Sequence, residues 1–202
     1  ESLTDRISSL DDATWALFKA AKNMDPTRPV LDASGYSHRV METDVYDSHD
    51  YEQDPKKFAR NHAGLKRGKP FTNNGWAKNS DKWSLPYDGQ PYFVSEFGGI
   101  HWNPNAKHLK TKDEWWKVAM AGESWGYGKS PMSFEEFYER FEGLCGVLLD
   151  NPHMFGYCYT QLTDVYQEEN GLYTFEREPK FDLEKLRAIQ TRRAAIEEKF
   201  NK

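Results

Sequence analysis

Four short apolar runs, each of which ends in polar residues, constrain the fold of this chain more than any other feature. The runs lie at residues 28–35, 43–51, 91–99 and 153–165. In each run the apolar residues stand side by side and do not alternate with polar ones, which is typical of strands buried on both faces of a parallel sheet. Because segments with helical spacing accompany these runs, the pattern predicts an α/β fold in which helices cover a parallel sheet.

The predicted helices are identified by their spacing of apolar residues and by their N-terminal caps. Ser9 with Asp12, and Ser133 with Glu136, have the three-residue spacing of a capping box. Pro55 occupies a first-turn position, where its missing N–H carries no penalty. The predicted helical segments are 9–24, 55–62, 112–121, 134–150 and 182–200.

A carboxylate lies at the end of the third run, "PYFVSEFGGIHW", where Ser95, Glu96 and two glycines follow the apolar residues. The carboxyl ends of parallel strands meet at one edge of the sheet, and this edge carries the active site in a (β/α)8 barrel. We therefore expect the polar residues that end the four runs to lie side by side. These residues are 32–35, 48–51, 95–99 and 159–164.

Composition excludes several classes of partner. The formal charge of −5, with acidic and basic residues mixed along the chain, leaves no basic stripe for nucleic acid and no basic patch for a membrane surface. Aromatic residues make up 15% of the chain, including seven Trp and eleven Tyr, and many are flanked by Gly, Asn or Asp. This composition fits a cleft that stacks on sugars, and it also fits an aromatic core. Cys145 and Cys158 lie in apolar segments and are predicted to be core thiols.

Glu96 could serve as a nucleophile, a general base, a metal ligand or an ion-pair partner. His49-Asp50 is the nearest approach to a metal-ligand pair, and HExxH and CxxC patterns are absent, so we predict no metal. The sequence also lacks a G-x-S-x-G elbow around Ser95 and a phosphate-binding G-x-x-x-x-G-K-[ST] loop. No cofactor is predicted.

Five blocks in order resemble the C-terminal half of the catalytic barrel of glycoside hydrolase family 2, which includes β-galactosidases and β-glucuronidases. The blocks are "DPTRPVLDASG", "SHDYEQDP", "YFVSEFGG", "ESWGYGKSPMSFEEFYERF" and "GYCYTQLTDVYQEENGLYTFEREPKF". The resemblance implies a retaining exo-β-glycosidase with a (β/α)8 TIM barrel, of which residues 1–202 supply about strands five to eight as one partial domain. It also implies that Glu96 is the nucleophile.

Other residues at or near the carboxyl ends of the predicted strands are candidates for binding the sugar. His49, Asp50 and Tyr51 offer hydrogen bonds to sugar hydroxyls or to Glu96. Trp125 and Tyr159 offer rings that can stack on the apolar face of a pyranose. Tyr159 has an alternative role, because side chains on one face of a barrel strand also fill the packed interior.

The resemblance leaves the proton donor outside this half of the barrel. In the family this glutamate precedes the first helix, so it is expected just before or at Glu1. A half barrel has open sheet edges, so we expect it to pair with the missing N-terminal half or with a second copy of the chain. The isolated chain should be nearly inactive, because general acid catalysis commonly contributes ~10² to 10⁴-fold.

Two questions remain open in the sequence. The alternative to an enzyme is a non-catalytic barrel remnant that binds carbohydrate through its aromatic residues. A glucuronidase would need basic groups for the sugar carboxylate, and the segment 60–69, "RNHAGLKRGK", contains such residues in a loop. The pattern does not place this loop, and it does not identify the compartment.

Overall fold

A computed structural model describes residues 8–35, 38–73, 84–112 and 114–200 of the chain. In this part of the chain, helices and three strands follow one another in an α/β order. The α-helices are α1 (Ser8–Met24), α2 (Pro55–His62), α3 (Trp115–Met120), α4 (Phe134–Leu149) and α5 (Leu183–Gln190). The strands are β1 (Tyr46–Asp50), β2 (Tyr92–Gly98) and β3 (Met154–Thr160). Short 3-10 helices lie at Leu65–Arg67 and Ala195–Phe200.

The three strands form a small parallel sheet in the order β1-β2-β3. The predicted helix at 9–24 and the predicted strands at 43–51, 91–99 and 153–165 each correspond to an element of the structure. None of the described helices is long and apolar enough to cross a membrane.

The chain divides into two compact units. The first comprises the described residues of Glu1–His49, Asn61–Ser95 and His153–Tyr157, and the second those of Asp50–Arg60, Glu96–Pro152 and Cys158–Lys202. Each strand therefore contributes residues to both units. The carboxyl ends of the strands, which include Glu96, belong to the second unit.

The first unit is built around apolar residues of α1, β1 and β2 together with a buried charged group. Phe18, Tyr46 and Val94 are among its buried side chains. His38 is buried between the carboxylates of Asp32 and Asp47, with nitrogen–oxygen distances of 2.8 and 3.0 Å. A polar group at this depth requires such partners, because an unpaired one would be costly.

The second unit has an aromatic core between its helices and the ends of the strands. Phe137 of α4 stacks on Phe181 with ring centroids 3.8 Å apart. Phe141, also on α4, packs against the ring of Tyr159 in β3. The Ser133 hydroxyl caps α4 by accepting the N–H of Glu136, as the sequence predicted.

The strand predicted at 28–35 is wrong, because hydrogen bonds to side chains replace a strand ladder there. The Asp44 carboxylate accepts the N–H of Val30 at 2.7 Å. The Asp32 carboxylate accepts the N–H groups of Arg39 and Val40. Aspartate side chains thus satisfy the backbone of a loop in place of a neighbouring strand.

Two further expectations are corrected. The last helix is eight residues long and ends at Gln190, where the Thr191 hydroxyl donates back to the carbonyl of Arg187, and a short 3-10 helix at Ala195–Phe200 takes the place of its predicted end. Cys145 is buried as predicted, whereas Cys158 is exposed, since it faces away from the aromatic core that receives its neighbour Tyr159. Both thiols are free.

Candidate active site

The candidate site is centred on Glu96, which the structure places inside β2. The strand continues through Glu96 to Gly98, so Glu96 lies near the C-terminal end of the strand but still within it. The Tyr51 hydroxyl, directly after β1, donates a hydrogen bond to Oε2 of Glu96. The Thr160 hydroxyl at the end of β3 lies 3.4 Å from the Tyr51 oxygen. The predicted proximity of Tyr51 and Glu96 is therefore confirmed. The hydroxyl of Tyr51 links residues at the ends of all three strands.

Tyr51 is held as a hydrogen-bond donor by its surroundings. Burial, with smaller contributions from Tyr127 and the Glu96 charge, raises the pKa of the Tyr51 phenol well above its ordinary range. A phenol with a raised pKa stays protonated at neutral pH, so it donates to the carboxylate. Partial burial and then the Glu96 charge also raise the pKa of the Cys158 thiol, although the residue as a whole is exposed.

Aromatic rings form a wall beside the carboxylate. Tyr51 stacks on Tyr127 with ring centroids 3.5 Å apart and planes inclined by 12°. The Trp125 ring lies 5.7 Å from Tyr127, and Trp115 lies within 5.4 Å of both rings. We call these four residues, Tyr51, Tyr127, Trp125 and Trp115, the aromatic wall. Such a wall offers large apolar faces with a polar handle at the Tyr51 hydroxyl.

The loop that carries the wall is tied to the residues that follow Glu96. The Tyr127 N–H donates to the carbonyl of Gly99 at 2.7 Å. Gly99 has a φ of +58°, and a Cβ at this position would lie 2.4 Å from the Tyr127 ring. Only glycine accommodates both the left-handed backbone and this close approach. The second glycine of "EFGG" thus allows the aromatic wall to lie beside the nucleophile candidate.

A second carboxylate belongs to the same region. Glu168 lies in the loop after β3, and burial followed by the Glu96 charge raises its pKa, while a hydrogen bond from Asn170 opposes the shift. Asn170 is fully buried, and its side-chain oxygen accepts from Gln161 at 2.9 Å. Two carboxylates whose charges interact across a site are a common feature of hydrolytic centres.

The other predicted site residues lie in different surroundings. In the first unit, the His49 ring nitrogen Nε2 lies 3.0 Å from the Ser34 hydroxyl, and its backbone bonds the Asn73 amide. The buried Asp50 carboxylate accepts the N–H of Glu52 at 3.0 Å, which fixes the turn that follows β1. This turn positions Tyr51.

Tyr159 lies in the core and not with Glu96. Its ring packs edge-on to Phe97 at 5.6 Å and to Phe141 at 5.0 Å, and its hydroxyl accepts the N–H of Ile100. Consecutive strand residues point to opposite faces, so Phe97 and Glu96 face opposite sides of β2. The Tyr159 ring therefore packs against α4, on the face of the sheet opposite to Glu96.

Several residues of this region had no role predicted from the sequence. They are Tyr127, Glu168 and Asn170, and also Thr160, which lay within the predicted range 159–164 without a role of its own. A signal existed for Tyr127, because it lies between two glycines in "WGYGK" beside the predicted Trp125. Among the described residues, no group of three or more His, Cys, Asp or Glu is placed to hold a metal ion.

Comparison with known proteins identifies the fold. No family model matches the sequence, and no curated protein matches it. An exo-beta-agarase structure matches 89% of this chain and 21% of its own at a TM-score of 0.53 and 13% identity. The Faecalibacterium prausnitzii beta-glucuronidase matches 93% of this chain and 29% of its own at a TM-score of 0.51 and 18% identity. A GH2 beta-galacturonidase from Eisenbergiella tayi matches 89% of this chain and 30% of its own, at a TM-score of 0.50 and 14% identity.

These matches identify the class of fold to which the chain belongs. The chain is similar in structure to domains of glycoside hydrolases, and it has a glycoside hydrolase fold. It spans less than a third of each of the three proteins compared.

Proposed function

We propose that this chain is the C-terminal catalytic segment of a retaining exo-β-glycosidase, related to glycoside hydrolase family 2, with Glu96 as its nucleophile. One observation carries the proposal. The carboxylate of Glu96 accepts a hydrogen bond from the Tyr51 phenol at the carboxyl ends of the strands, beside the aromatic wall. In this proposal the whole chain is one partial (β/α)8 barrel. The other half of the barrel or a second copy of the chain completes its sheet.

The chemistry requires an ionised carboxylate beside a bound pyranose. Glu96 attacks the anomeric carbon while the bond from this carbon to the leaving oxygen breaks, and a separate carboxylic acid protonates that oxygen. Water then releases the sugar from the covalent ester with retention of configuration. Retaining enzymes hold the two carboxyl groups about 5 to 5.5 Å apart. We assign no described residue to the proton donor.

The surrounding residues take binding roles. Trp125 and Tyr127 stack on the apolar face of the sugar, and the Tyr51 hydroxyl orients the Glu96 carboxylate. Asp50 and His49 are proposed to contribute hydrogen bonds to the sugar or to the turn that holds Tyr51. No role at the sugar is proposed for Tyr159, because its ring is packed in the core.

A mechanism-based label tests the nucleophile. The protein that carries this chain is incubated with 2-deoxy-2-fluoro β-glycosyl fluorides, and its peptides are analysed by mass spectrometry. We expect a single ester on Glu96, and we expect Glu96→Gln, which keeps the size of the side chain, to abolish it. A label on any other carboxylate contradicts the assignment. Sugar binding without labelling supports a non-catalytic carbohydrate-binding role.

A further inference from the structure

A cavity of about 590 Å³ lies within the second unit, between the loop after β2 and the loop after β3. The first of these loops contributes Trp102 and Asn103 to its lining, and the second contributes Tyr166 and Phe175. Neither Glu96 nor any residue of the aromatic wall lines it. Its volume is typical of sites that bind small molecules.

This cavity is a neighbour of the candidate active site and not a part of it. The N–H of Trp125, a residue of the aromatic wall, donates to the carbonyl of Gln167 at 2.8 Å, and the Trp125 carbonyl accepts the N–H of Glu169 at 2.8 Å. The Glu169 carbonyl in turn accepts the N–H of Trp102 at 2.9 Å. The two places therefore share one segment of backbone but no side chain.

Two exposed aromatic rings lie at the edge of the cavity. Tyr166 is 77% exposed and Phe175 is 56% exposed, the highest values among the aromatic side chains that the structure describes. Their ring centroids are 5.6 Å apart, with planes inclined by 32°. The two rings thus form one apolar surface that faces water. Such a surface beside a cavity is typical of a binding site.

Backbone hydrogen bonds hold both rings in place. Val165 and Glu168 exchange N–H···O bonds of 3.1 and 3.0 Å around the turn that carries Tyr166. The Thr174 N–H donates to the carbonyl of Glu178 at 2.8 Å around the turn that carries the other ring. Tyr166 has a φ of +51°, which is uncommon for an aromatic residue. Because both turns are closed by hydrogen bonds, a ligand does not have to order them.

The polar groups of the cavity suit hydroxyl groups. Oε2 of Glu169 accepts the Asn103 amide at 2.6 Å, and among the described residues its Oε1 has no hydrogen-bond partner. The Lys180 ammonium is occupied, because it binds both carboxylate oxygens of Asp164 at 2.8 and 3.0 Å and the Glu169 carbonyl at 3.4 Å. The cavity therefore offers an oriented acceptor for a hydroxyl donor. Its lysine is not available to a phosphate group.

We propose that this cavity is a second saccharide site, which binds an oligosaccharide on the rings of Tyr166 and Phe175 without catalysis. A pyranose has apolar C–H faces and hydroxyl groups at its edge, and the cavity places an apolar surface beside a hydroxyl acceptor. A cage for a quaternary ammonium ion needs rings that surround the cation, whereas these two rings touch each other. The inference goes beyond the proposed function, because such binding requires neither Glu96 nor the aromatic wall.

Calorimetric titration of the protein that carries this chain tests the inference, with Glu96→Gln in every sample to prevent hydrolysis. The probes are cellotetraose and β-1,4-galactotetraose, with choline as the cationic probe. Tyr166→Asn and Phe175→Ala together remove both rings, and asparagine tolerates the left-handed backbone at residue 166. Trp116→Ala is the matched control, because this ring is 50% exposed but does not line the cavity. Trp125→Ala removes a ring of the aromatic wall instead.

We expect at least one tetrasaccharide to bind, and we expect the paired change to weaken its binding at least about tenfold. Thermal stability should change little, since both rings are exposed. Trp116→Ala should leave the affinity unchanged. Trp125→Ala weakens binding at the aromatic wall, so the affinity that remains in this variant reports the cavity. The paired change should cause the same loss there, because the two places share no side chain.

The outcomes separate the inference from the proposed function. Tetrasaccharide binding that the paired change leaves intact overturns the inference, including the case in which Trp125→Ala abolishes binding and the aromatic wall alone holds the sugar. Absence of tetrasaccharide binding, or binding of choline alone, also overturns it. None of these results alters the labelling of Glu96, which tests the proposed function independently.

Discussion

The buried His38 predicts a specific dependence of stability on pH. Nδ1 of its ring lies 2.8 Å from Asp32 and Nε2 lies 3.0 Å from Asp47, and the three side chains are at most 1% exposed. Both ring nitrogens can donate only when the imidazole is charged. Burial by itself would lower the pKa of His38, but the hydrogen bonds and charges of Asp32 and Asp47 outweigh it and raise the pKa to about 9.

The size and sign of the effect follow from this value. The ordinary pKa of 6.5 applies to the unfolded chain, and the folded value is about 9. At ~1.4 kcal/mol per pH unit, the interval corresponds to about 3 kcal/mol of stability. Below pH 6.5 both states carry the proton and the contribution is complete. As the pH rises toward 9, only the folded state keeps the proton, so the contribution is progressively lost.

Chemical denaturation of the wild type and of His38→Gln at about pH 6 and about pH 9.5 measures the effect, since the variant cannot titrate at this position. We expect the free energy of unfolding of the wild type to fall by about 3 kcal/mol more than that of the variant over this interval. The chemical shift of the His38 ring proton gives the folded pKa independently of the variant. An equal pH dependence in both proteins, or a folded pKa near the ordinary value, would refute the reasoning.

Two further predictions concern the site and the loop beside it. Tyr51→Phe keeps the ring that stacks on Tyr127 and removes the hydroxyl that binds Glu96. Labelling of Glu96 by a neutral 2-deoxy-2-fluoro glycosyl fluoride should therefore slow about tenfold, while thermal stability changes little. An unchanged rate of labelling would show that the hydroxyl does not orient the carboxylate. Lys180→Met leaves the Asp164 carboxylate, whose side chain is 8% exposed, without its cation. This change should reduce the free energy of unfolding by roughly 3 kcal/mol, and adding Asp164→Asn should recover much of the loss. A double variant that is no more stable than Lys180→Met would contradict this account.

The sequence by itself determined the local elements of the fold. The capping box at Ser133 and the spacing of Phe137, Phe141 and Leu144 predicted α4 within a residue at each end. These signals are local, because a cap and an apolar stripe act within a few residues of one another. Runs of adjacent apolar residues that end in polar ones likewise predicted β1, β2 and β3 and their parallel order, and thus the α/β class of fold.

Local signals failed where distant groups compete for the backbone. Residues 28–35 have the apolar pattern of a strand, yet the Val30 N–H donates to the Asp44 carboxylate and the Gly35 N–H donates to the Asp47 carboxylate. Both partners are distant in the sequence, so no periodicity reports them. Tertiary contacts override propensity at such positions.

The candidate site shows the same division. The sequence identified Glu96 from its position after an apolar strand, and it predicted Tyr51 as a neighbour from the adjacency of two parallel strands. It could not show that Tyr127 stacks on Tyr51, that Glu168 approaches Glu96, or that Tyr159 turns into the core. Those relations depend on which face of a strand a side chain occupies and on pairings between loops more than 25 residues apart, such as Gly99 with Tyr127 and Trp125 with Gln167. Only the tertiary structure fixes them, because backbone hydrogen bonds between distant loops are satisfied after the chain has folded.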